Sequence, residues 1–300
     1  MHPLPTKFGG GPPKGGGEVV GVGRGFLRES LFDGIEDVVH FNKAVTGYDL
    51  TSNGVIAMFA DGSKSPEGSL LVGADGVYSK ITKQLTEGKL KVFDTGARMI
   101  HGSSPRATFD QLAQGRFAAF AIEDEANSAG RIAMITNVRD EPGESVHFGW
   151  VLVGGPGSFS APNDDFSISG QPAVDISVSL TSKWSDKLRP ILLEQSIPDA
   201  AFLKMSTSSP KGVPEWTNQP KVTLLGDAVH AMTPAGGVGA NTALRDAELL
   251  GRLIAENGGW GTNVTGEYEK EMRVYASENV KESFATASKR FSITDLSNTI

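Results

Sequence analysis

The chain has 300 residues, 39% of them hydrophobic, and a formal net charge of −7 at neutral pH. This length and apolar content suffice for one large or two modest cores, as in a globular enzyme. The acidic balance argues against a nucleic-acid-binding protein, and the absence of cysteine excludes disulfides, thiolate metal sites and cysteine nucleophiles. No apolar run is near the roughly 18 residues that span a bilayer, so we expect a soluble, cytoplasmic protein without a membrane span.

Residues 1–17 form a tail in which ten of 17 residues are glycine or proline. Such a segment buries too little apolar surface to offset the entropy of ordering it, so we expect it to be disordered. It lacks the apolar stretch of a signal peptide and the arginine and serine content of a mitochondrial presequence.

Residues 18–89 carry the pattern of a helix followed by short strands. Apolar runs predict strands at 38–50 and 55–60, a turn at Asp61-Gly62, and a third strand that ends at Asp75. This order of helix and strands is typical of one part of an α/β domain.

Residues 90–219 have a different texture, with strands predicted at 116–122, 131–138 and 145–153. The last run places Val146, Phe148, Trp150 and Leu152 on one face, as in an antiparallel sheet with one buried side. Phe148 and Trp150 are more typical of core than of a pocket lining.

The remainder of this block is predicted to be helical. Helical periodicity covers 176–188, and Pro190 is predicted to open a second short helix, because proline suits the first turn. We interpret the whole block as a substrate-side domain built on an antiparallel sheet.

The run from Val222 to Leu250 is the most informative part of the chain. A short apolar strand ends at Gly226, where the chain turns, and Asp227 then lies at the strand's carboxyl end. A carboxylate in that position is suited to accept hydrogen bonds from sugar or ribityl hydroxyls.

A glycine-rich turn and an amphipathic helix follow this strand. The apolar spacing predicts that the helix begins near Ala240 or Asn241, with its free N–H groups and positive dipole end available to an anion. A polar helix is predicted over 264–290.

These segments resemble the motifs of flavin-dependent aromatic hydroxylases and related monooxygenases. The run GDAVHAMTP with GGVGANTALRDAELL is similar to the family's GD motif, LLVGADGVYS at 70–79 resembles its DG motif, and RGFLRESL at 24–31 resembles its Arg-x-x-Leu helix. The resemblance covers about residues 19–290.

The resemblance implies an α/β fold with a Rossmann-like FAD/NAD(P)-binding domain and an inserted antiparallel-sheet domain. Residues 18–89 and 220–290 would form the FAD-binding domain, and 90–219 the substrate-side domain. In this family NAD(P)H reduces FAD, and one atom of O2 is transferred to an aromatic or olefinic small molecule.

The resemblance also implies roles for individual residues. Asp227 would bind the ribityl or phosphate-side hydroxyls, Asp75 would order the pyrophosphate region and the path of NAD(P)H, and Arg24 would contact the flavin. Backbone N–H groups at the start of the helix would meet the flavin's pyrimidine edge, from Gly239, Ala240 and Asn241. No catalytic base is assigned and no metal is expected.

Simpler structural roles remain open for three residues. Asp75 precedes a glycine at a strand end and could instead accept local N–H bonds. His230 is better interpreted as a packed, hydrogen-bonded histidine than as a general base. Asp246 is better interpreted as a structural or solvated carboxylate than as a flavin contact.

The family's first strand and G-x-G-x-x-G turn, which bind the ADP part of FAD, have no match here. In VVGVGRGF at 19–26, Phe26 stands where the third glycine belongs. The sequence therefore predicts an N-terminally incomplete FAD-binding domain. We expect the 300-residue chain to bind FAD weakly or not at all.

Two other functions are compatible with the motifs. One is another flavoenzyme class, either a halogenase or an isoprenoid-chain reductase, although FGWVLVGGPG at 148–157 lacks the halogenase W-x-W-x-I-P signature. The other is an FAD-deficient, non-enzymatic remnant or binding module of the same fold. The oligomeric state and the substrate stay open.

Overall fold

The computed structural model describes residues 24–110, 121–124, 132–137, 147–162, 167–261, 263–296 and 299. The chain divides into two compact units. As far as it is described, the first unit contains the residues up to Gly34, Thr95–Met205 and Arg290–Thr294. The second unit contains Ile35–Asp94, Ser206–Lys289 and Asp295–Ile300.

The elements follow one another along the chain as helices and strands of very different length. The helices are α1 (Arg24–Phe32), α2 (Lys80–Leu85), α3 (Arg106–Asp110), α4 (Gln171–Leu180), α5 (Arg189–Leu193), α6 (Asp227–His230), α7 (Gly239–Glu256) and α8 (Val264–Phe291). The strands are β1 (Val45–Leu50), β2 (Val55–Phe59), β3 (Leu71–Gly73), β4 (Val92–Pro105), β5 (Ala121–Asp124), β6 (Ile132–Asn137), β7 (His147–Gly154), β8 (Ala201–Ser208) and β9 (Val222–Leu224).

The first unit is built on a five-stranded sheet with the order β5-β6-β7-β4-β8. The pairs β5–β6, β6–β7 and β4–β7 are antiparallel. Alternate residues of β7, namely Phe148, Trp150 and Leu152, are buried in one cluster with side chains of α5. The predicted alternation is thereby confirmed for these three residues, and Phe148 and Trp150 are core. Val146 lies outside the described residues.

Trp150 is the largest fully buried side chain in that core, with 1% of its surface exposed. Its indole Nε1 donates to Ser104 Oγ at 2.8 Å, and Ser104 in turn donates to the Ile191 carbonyl of α5. The ring lies directly over Gly102 of β4, where no side chain fits. Gly102 thus leaves room for the indole ring to lie across the neighbouring strand.

The second unit contains a parallel pair, β3 with β9, and an antiparallel hairpin, β1 with β2. Its core gathers apolar side chains of β9, α6, α7 and α8, including Val222, Leu224, Leu249, Tyr268 and Met272. The protein is therefore α/β, as predicted, and the antiparallel sheet lies in sequence between the two main segments of the second unit.

The unit boundaries differ from the domain boundaries that the sequence predicts. They fall at 94/95 and 205/206, inside β4 and β8, whereas the sequence placed them at 89/90 and 219/220. Residues 24–34, assigned by sequence to the FAD-binding domain, group with the first unit. Long continuous strands carry no composition change at such a boundary, and the functional roles of the two units stay predictions.

Several element boundaries also shift. The strand predicted from residue 38 begins only at Val45, because Asn42 adopts a left-handed φ of 60° that a strand cannot continue. The helix predicted over 176–188 is α4 and ends at Leu180, while Pro190 does lie in the first turn of α5. Of the strand predicted at 116–122, residues 116–120 lie outside the described part, as do residues 1–23.

Within the described part of the chain, no helix is both long and apolar enough to cross a bilayer.

Replacing Gly102 with alanine tests the packing of Trp150 against β4. A Cβ atom at Gly102 would overlap the indole ring. Gly149 of β7 is paired with Ser103 of β4, and a Cβ atom there would meet nothing closer than His101 Nε2 at 4.0 Å. We expect Gly102→Ala to lower the free energy of unfolding by about 1–3 kcal/mol. Gly149→Ala should preserve or raise it, since alanine loses less chain entropy on folding. Urea denaturation followed by circular dichroism measures both, and equal effects would contradict the close contact.

Candidate functional site

Two loops leave the same edge of the parallel strand pair. In β3 and β9, Gly73 is aligned with Leu224, and the Leu225 N–H donates to the Gly73 carbonyl at 2.9 Å. Because parallel strands end at the same side of a sheet, the loop with Asp75 and the loop with Asp227 begin next to each other. Ligands of α/β proteins collect at such carboxyl edges.

Gly226 makes the turn after β9 possible. Its φ is 64°, in the left-handed region that favours glycine, and an added Cβ would lie 3.3 Å from the Ala243 Cβ of α7. The one-turn helix α6 starts immediately afterwards at Asp227, whose side chain is exposed and has no hydrogen-bond partner among the described residues. The Asp227 carboxylate, where the two loops begin side by side, is thus left available to a ligand.

The beginning of α7 supplies hydrogen-bond donors. The helix starts at Gly239, close to the predicted start, and the first of its N–H groups to find an acceptor is that of Thr242, which donates to the Val238 carbonyl at 2.9 Å. The preceding N–H groups of Gly239, Ala240 and Asn241 have no acceptor in the described part of the chain. No acidic residue lies in the first turn, so this positive helix end is not neutralised by its own sequence.

A buried carboxylate holds the turn after β9 in place. Asp246 of α7 is fully buried and accepts from the Gly226 N–H at 2.9 Å, from His230 Nε2 at 2.6 Å and from the Tyr275 hydroxyl of α8 at 2.6 Å. Burial, together with the bond to Asp246, raises the pKa of Tyr275, which keeps this hydroxyl a donor.

The structure thus supports the structural interpretation of both His230 and Asp246. Neither side chain is solvated, since both have 0% side-chain exposure. Tyr275 was missed by sequence reasoning, because it lies 29 positions from Asp246 in a helix that looks polar. Only the packing of α8 on α7 brings the pair together.

Helix α8 also fixes the loop between α6 and α7. The Thr233 hydroxyl donates to the Ser283 carbonyl at 2.9 Å, and the Ser283 hydroxyl donates back to the Thr233 carbonyl at 2.5 Å. The next residue, Pro234, opens a short 3₁₀ turn, and Gly237 closes it with a φ of 65°. The segment that leads into α7 is therefore fixed at Thr233 by α8 and closed at Gly237 by the turn.

Asp75 is engaged in local bonds. Its Oδ1 accepts from the Ser79 hydroxyl at 2.5 Å and its Oδ2 from the Lys80 N–H at 3.1 Å, while Ser79 caps α2 by accepting from the Thr82 N–H. This is the local alternative that the sequence left open. Thr82 also donates to the Ala228 carbonyl at 2.7 Å, so α2, which follows the DG segment, is joined directly to α6.

Arg24 is the first residue of α1, and its side chain lies outside the described part of the structure. Its contact with a flavin therefore stays a prediction.

Comparison with known proteins links this loop arrangement to flavoproteins. A family model described as an FAD binding domain matches residues 182–283. A dual O-methyltransferase/FAD-dependent monooxygenase of Phaeosphaeria nodorum is 36% identical over 78% of this chain and 29% of its own length. A protein of the same description from Cercospora beticola is 28% identical over 90% of this chain and 34% of its own length. The chain thus spans about a third of these relatives.

Solved structures share the fold. One assigned to an FAD-containing monooxygenase of Photorhabdus luminescens has a TM-score of 0.70 at 30% identity, covering 89% of this chain and 73% of that chain. HpxO of Klebsiella pneumoniae, crystallised with FAD and uric acid, has a TM-score of 0.70 at 20% identity, covering 90% and 64%.

Removing the Asp246 carboxylate tests its role in holding the turn. We expect Asp246→Ala to lower the free energy of unfolding by about 3–5 kcal/mol, because three buried donors lose their acceptor. Tyr275→Phe, which removes one donor to this carboxylate, should cost about 1.5–3 kcal/mol. Glu248→Ala on the same helix is the control, since that side chain is 63% exposed and surface pairs contribute little. Urea denaturation of all three variants gives the comparison, and an Asp246→Ala loss no larger than that of Glu248→Ala would exclude this role.

A second buried acid makes stability depend on pH. Glu269 of α8 is 1% exposed and accepts from Thr223 of β9 at 3.1 Å, and burial raises its pKa above the ordinary 4.5. The folded state then holds a proton that the unfolded state has released, so this group's contribution to stability falls as pH rises from 4.5 through the folded pKa.

We therefore expect Glu269→Gln, which is always neutral, to gain stability relative to the wild-type chain as pH rises from 4.5 to about 8. Urea denaturation across this range measures the difference in stability. The slope of this difference against pH is the decisive quantity, because losing the ion pair between Glu269 and Arg273, which are 3.2 Å apart, adds only an offset. Glu271→Gln, an exposed position on the same helix, should give a flat difference. A flat line for Glu269→Gln would show that burial does not control this carboxyl.

Proposed function

Since this chain belongs to the FAD-dependent monooxygenase family, we propose that it uses NAD(P)H and O2 to hydroxylate or epoxidise an aromatic or olefinic small molecule. The proposal rests on one observation above the others. A single segment that begins at the carboxyl edge of β9 contains an exposed carboxylate and three N–H groups that have no partner among the described residues.

The donors and acceptors of this segment fit the chemistry of FAD. Asp227 has lone pairs for ribityl or ribose hydroxyls, and the N–H groups of Gly239, Ala240 and Asn241 suit an acceptor edge that gains negative charge. FAD, when bound, would supply the redox chemistry, taking reducing equivalents from NAD(P)H and activating oxygen. The protein's contribution is then binding, orientation and electrostatics.

The bonds beneath the loop support this role because they organise it in advance. The backbone around Gly226 is held by Asp246, and the backbone around Thr233 by Ser283. A ligand that meets Asp227 and the α7 N-terminus therefore needs little reordering of the loop, and less free energy is lost on binding.

No residue of the second unit is proposed as a general base. His230 is fully buried and its Nε2 faces Asp246, so it cannot reach a substrate without breaking that bond. The substrate is proposed only by class, and the contributions of Arg24 and Asp75 to cofactor binding stay predictions.

Titration with FAD tests the proposal. We expect a saturable change in flavin fluorescence, weak if the expectation from the sequence holds, and FAD-dependent oxygen uptake with NADH or NADPH in the presence of an aromatic substrate. Asp227→Ala should weaken FAD binding by about 10- to 150-fold, since a hydrogen bond to a charged group contributes about 1.5–3 kcal/mol. Asp186→Ala, at a side chain 99% exposed, is the control and should bind like the wild type.

Two results would overturn parts of this proposal. A folded chain that takes up no FAD at any concentration would favour the non-enzymatic binding module. If Asp227→Ala binds FAD with unchanged affinity, that carboxylate does not contact the cofactor, and the family assignment is unaffected.

A further inference from the structure

A cavity of about 350 Å³ lies within the second unit, beside α2. Its volume is at the lower end of the range for small-molecule sites, about 300–1,000 Å³. It is lined by residues 77–79 of the DG motif, by one side of α2, by Gly88 and the residues that follow the turn after α2, by Ala228 of α6 and by Thr299. It is not the segment of Asp227 and the α7 N-terminus, none of whose ligand-binding residues line it.

The lining is cationic. Lys80, Lys83 and Lys91 all line the cavity, and no aspartate or glutamate does. Among the described residues, none of the three ammonium groups has an ion-pair or hydrogen-bond partner. In a chain of net charge −7, three unpaired cations around one cavity form a local field opposite to that of the whole molecule.

The backbone brings these lysines together. Lys80 and Lys83 are one turn apart on α2 and therefore share a face, where like charges repel. After α2 the chain reverses through Glu87 and Gly88, both with positive φ, at 52° and 71°. This tight turn returns Lys91 to the cavity, at the start of β4. An anion bound in the cavity would offset the repulsion between these lysines.

The remaining lining combines the hydroxyl side chains of Ser79, Thr82 and Thr299 with apolar and aromatic surface. Leu90 and Val92 are 8% and 6% exposed and form a floor, while the ring of Tyr78 is 63% exposed. The site therefore offers cations for charged groups together with apolar surface for an organic body. An inorganic ion uses only the first of these, whereas a phosphorylated organic molecule uses both.

We propose that this cavity binds a small phosphorylated organic molecule, with its phosphate groups on Lys80, Lys83 and Lys91 and its organic part against Tyr78, Leu90 and Val92. Two sources share this chemistry, an adenine nucleotide and a sugar phosphate. Ala228, next to Asp227, also lines the cavity, but none of the residues proposed to bind FAD does, and this proposal does not depend on that one.

The test is titration of the full chain with ADP, a hexose phosphate and inorganic pyrophosphate, followed by calorimetry and by amide NMR shifts. We expect saturable binding of at least one organic phosphate, with affinity falling as ionic strength rises because exposed charges are screened. Shifts should be confined to residues near α2 and the start of β4. Binding of ADP but not of the hexose phosphate identifies a nucleotide site. Equal binding of both organic phosphates identifies a general phosphate-ester site.

Variants make the assignment specific. Lys83→Gln and Lys91→Gln should each weaken binding at least tenfold, whereas Lys89→Gln, at an exposed lysine that does not line the cavity, should leave it unchanged. Without ligand and at low salt, Lys83→Gln should also raise the melting temperature, because it relieves repulsion from Lys80. Lys89→Gln should not.

Three outcomes would overturn the proposal. They are no binding of either organic phosphate, equal binding in the cavity variants and Lys89→Gln, and affinity for pyrophosphate equal to that for the organic phosphates, which would show an ion site only. Repeating the titration with Asp227→Ala separates the two sites, since phosphate binding here should survive even where FAD binding is lost.

Discussion

The carboxylate of Asp246 is the interaction on which the second unit's arrangement depends. It is fully buried, and it joins the turn after β9, the one-turn helix α6 and the long helix α8 through Gly226, His230 and Tyr275. A buried charge is tolerable only when donors surround it, so these three elements are held at fixed positions about one point. The exposed Asp227 carboxylate and the N–H groups at the start of α7 are therefore also held in place.

Around this loop the buried polar side chains have hydrogen-bond partners, except that His230 Nδ1 has none among the described residues. Beneath the loop, Thr233 and Ser283 bond to each other, and Asp246 has its donors. Above it, Asp227 and the first N–H groups of α7 have none among the described residues. The flavin site proposed here would give this asymmetry a chemical meaning, because a flavin nucleotide carries both hydroxyls and an acceptor edge.

Helix α2 connects the two ligand-binding proposals without merging them. Its capped N-terminus takes up both carboxylate oxygens of Asp75, and Thr82 bonds to α6 beneath the proposed flavin loop. Its lysines line a cavity in which no carboxylate takes part. One short helix thus donates a hydrogen bond beneath the proposed flavin loop and carries two of the three lysines of the proposed phosphate site.

The sequence by itself determined the α/β class, the turn at Gly226, the start of α7 and the buried face of β7, because each depends on local backbone preference or on the spacing of apolar residues. It also carried the family resemblance, through two motifs in the right order. Only the tertiary structure decided that Asp75 is bound locally, that Tyr275 completes the shell of Asp246, and that Lys91 joins Lys80 and Lys83 at one cavity. The sequence allows Asp75 either its local bonds or a ligand, and only the folded loop shows the local bonds to Ser79 and Lys80. The other two facts depend on the packing of α8 against α7 and on the left-handed turn at Glu87. The spacing of side chains along the sequence records neither.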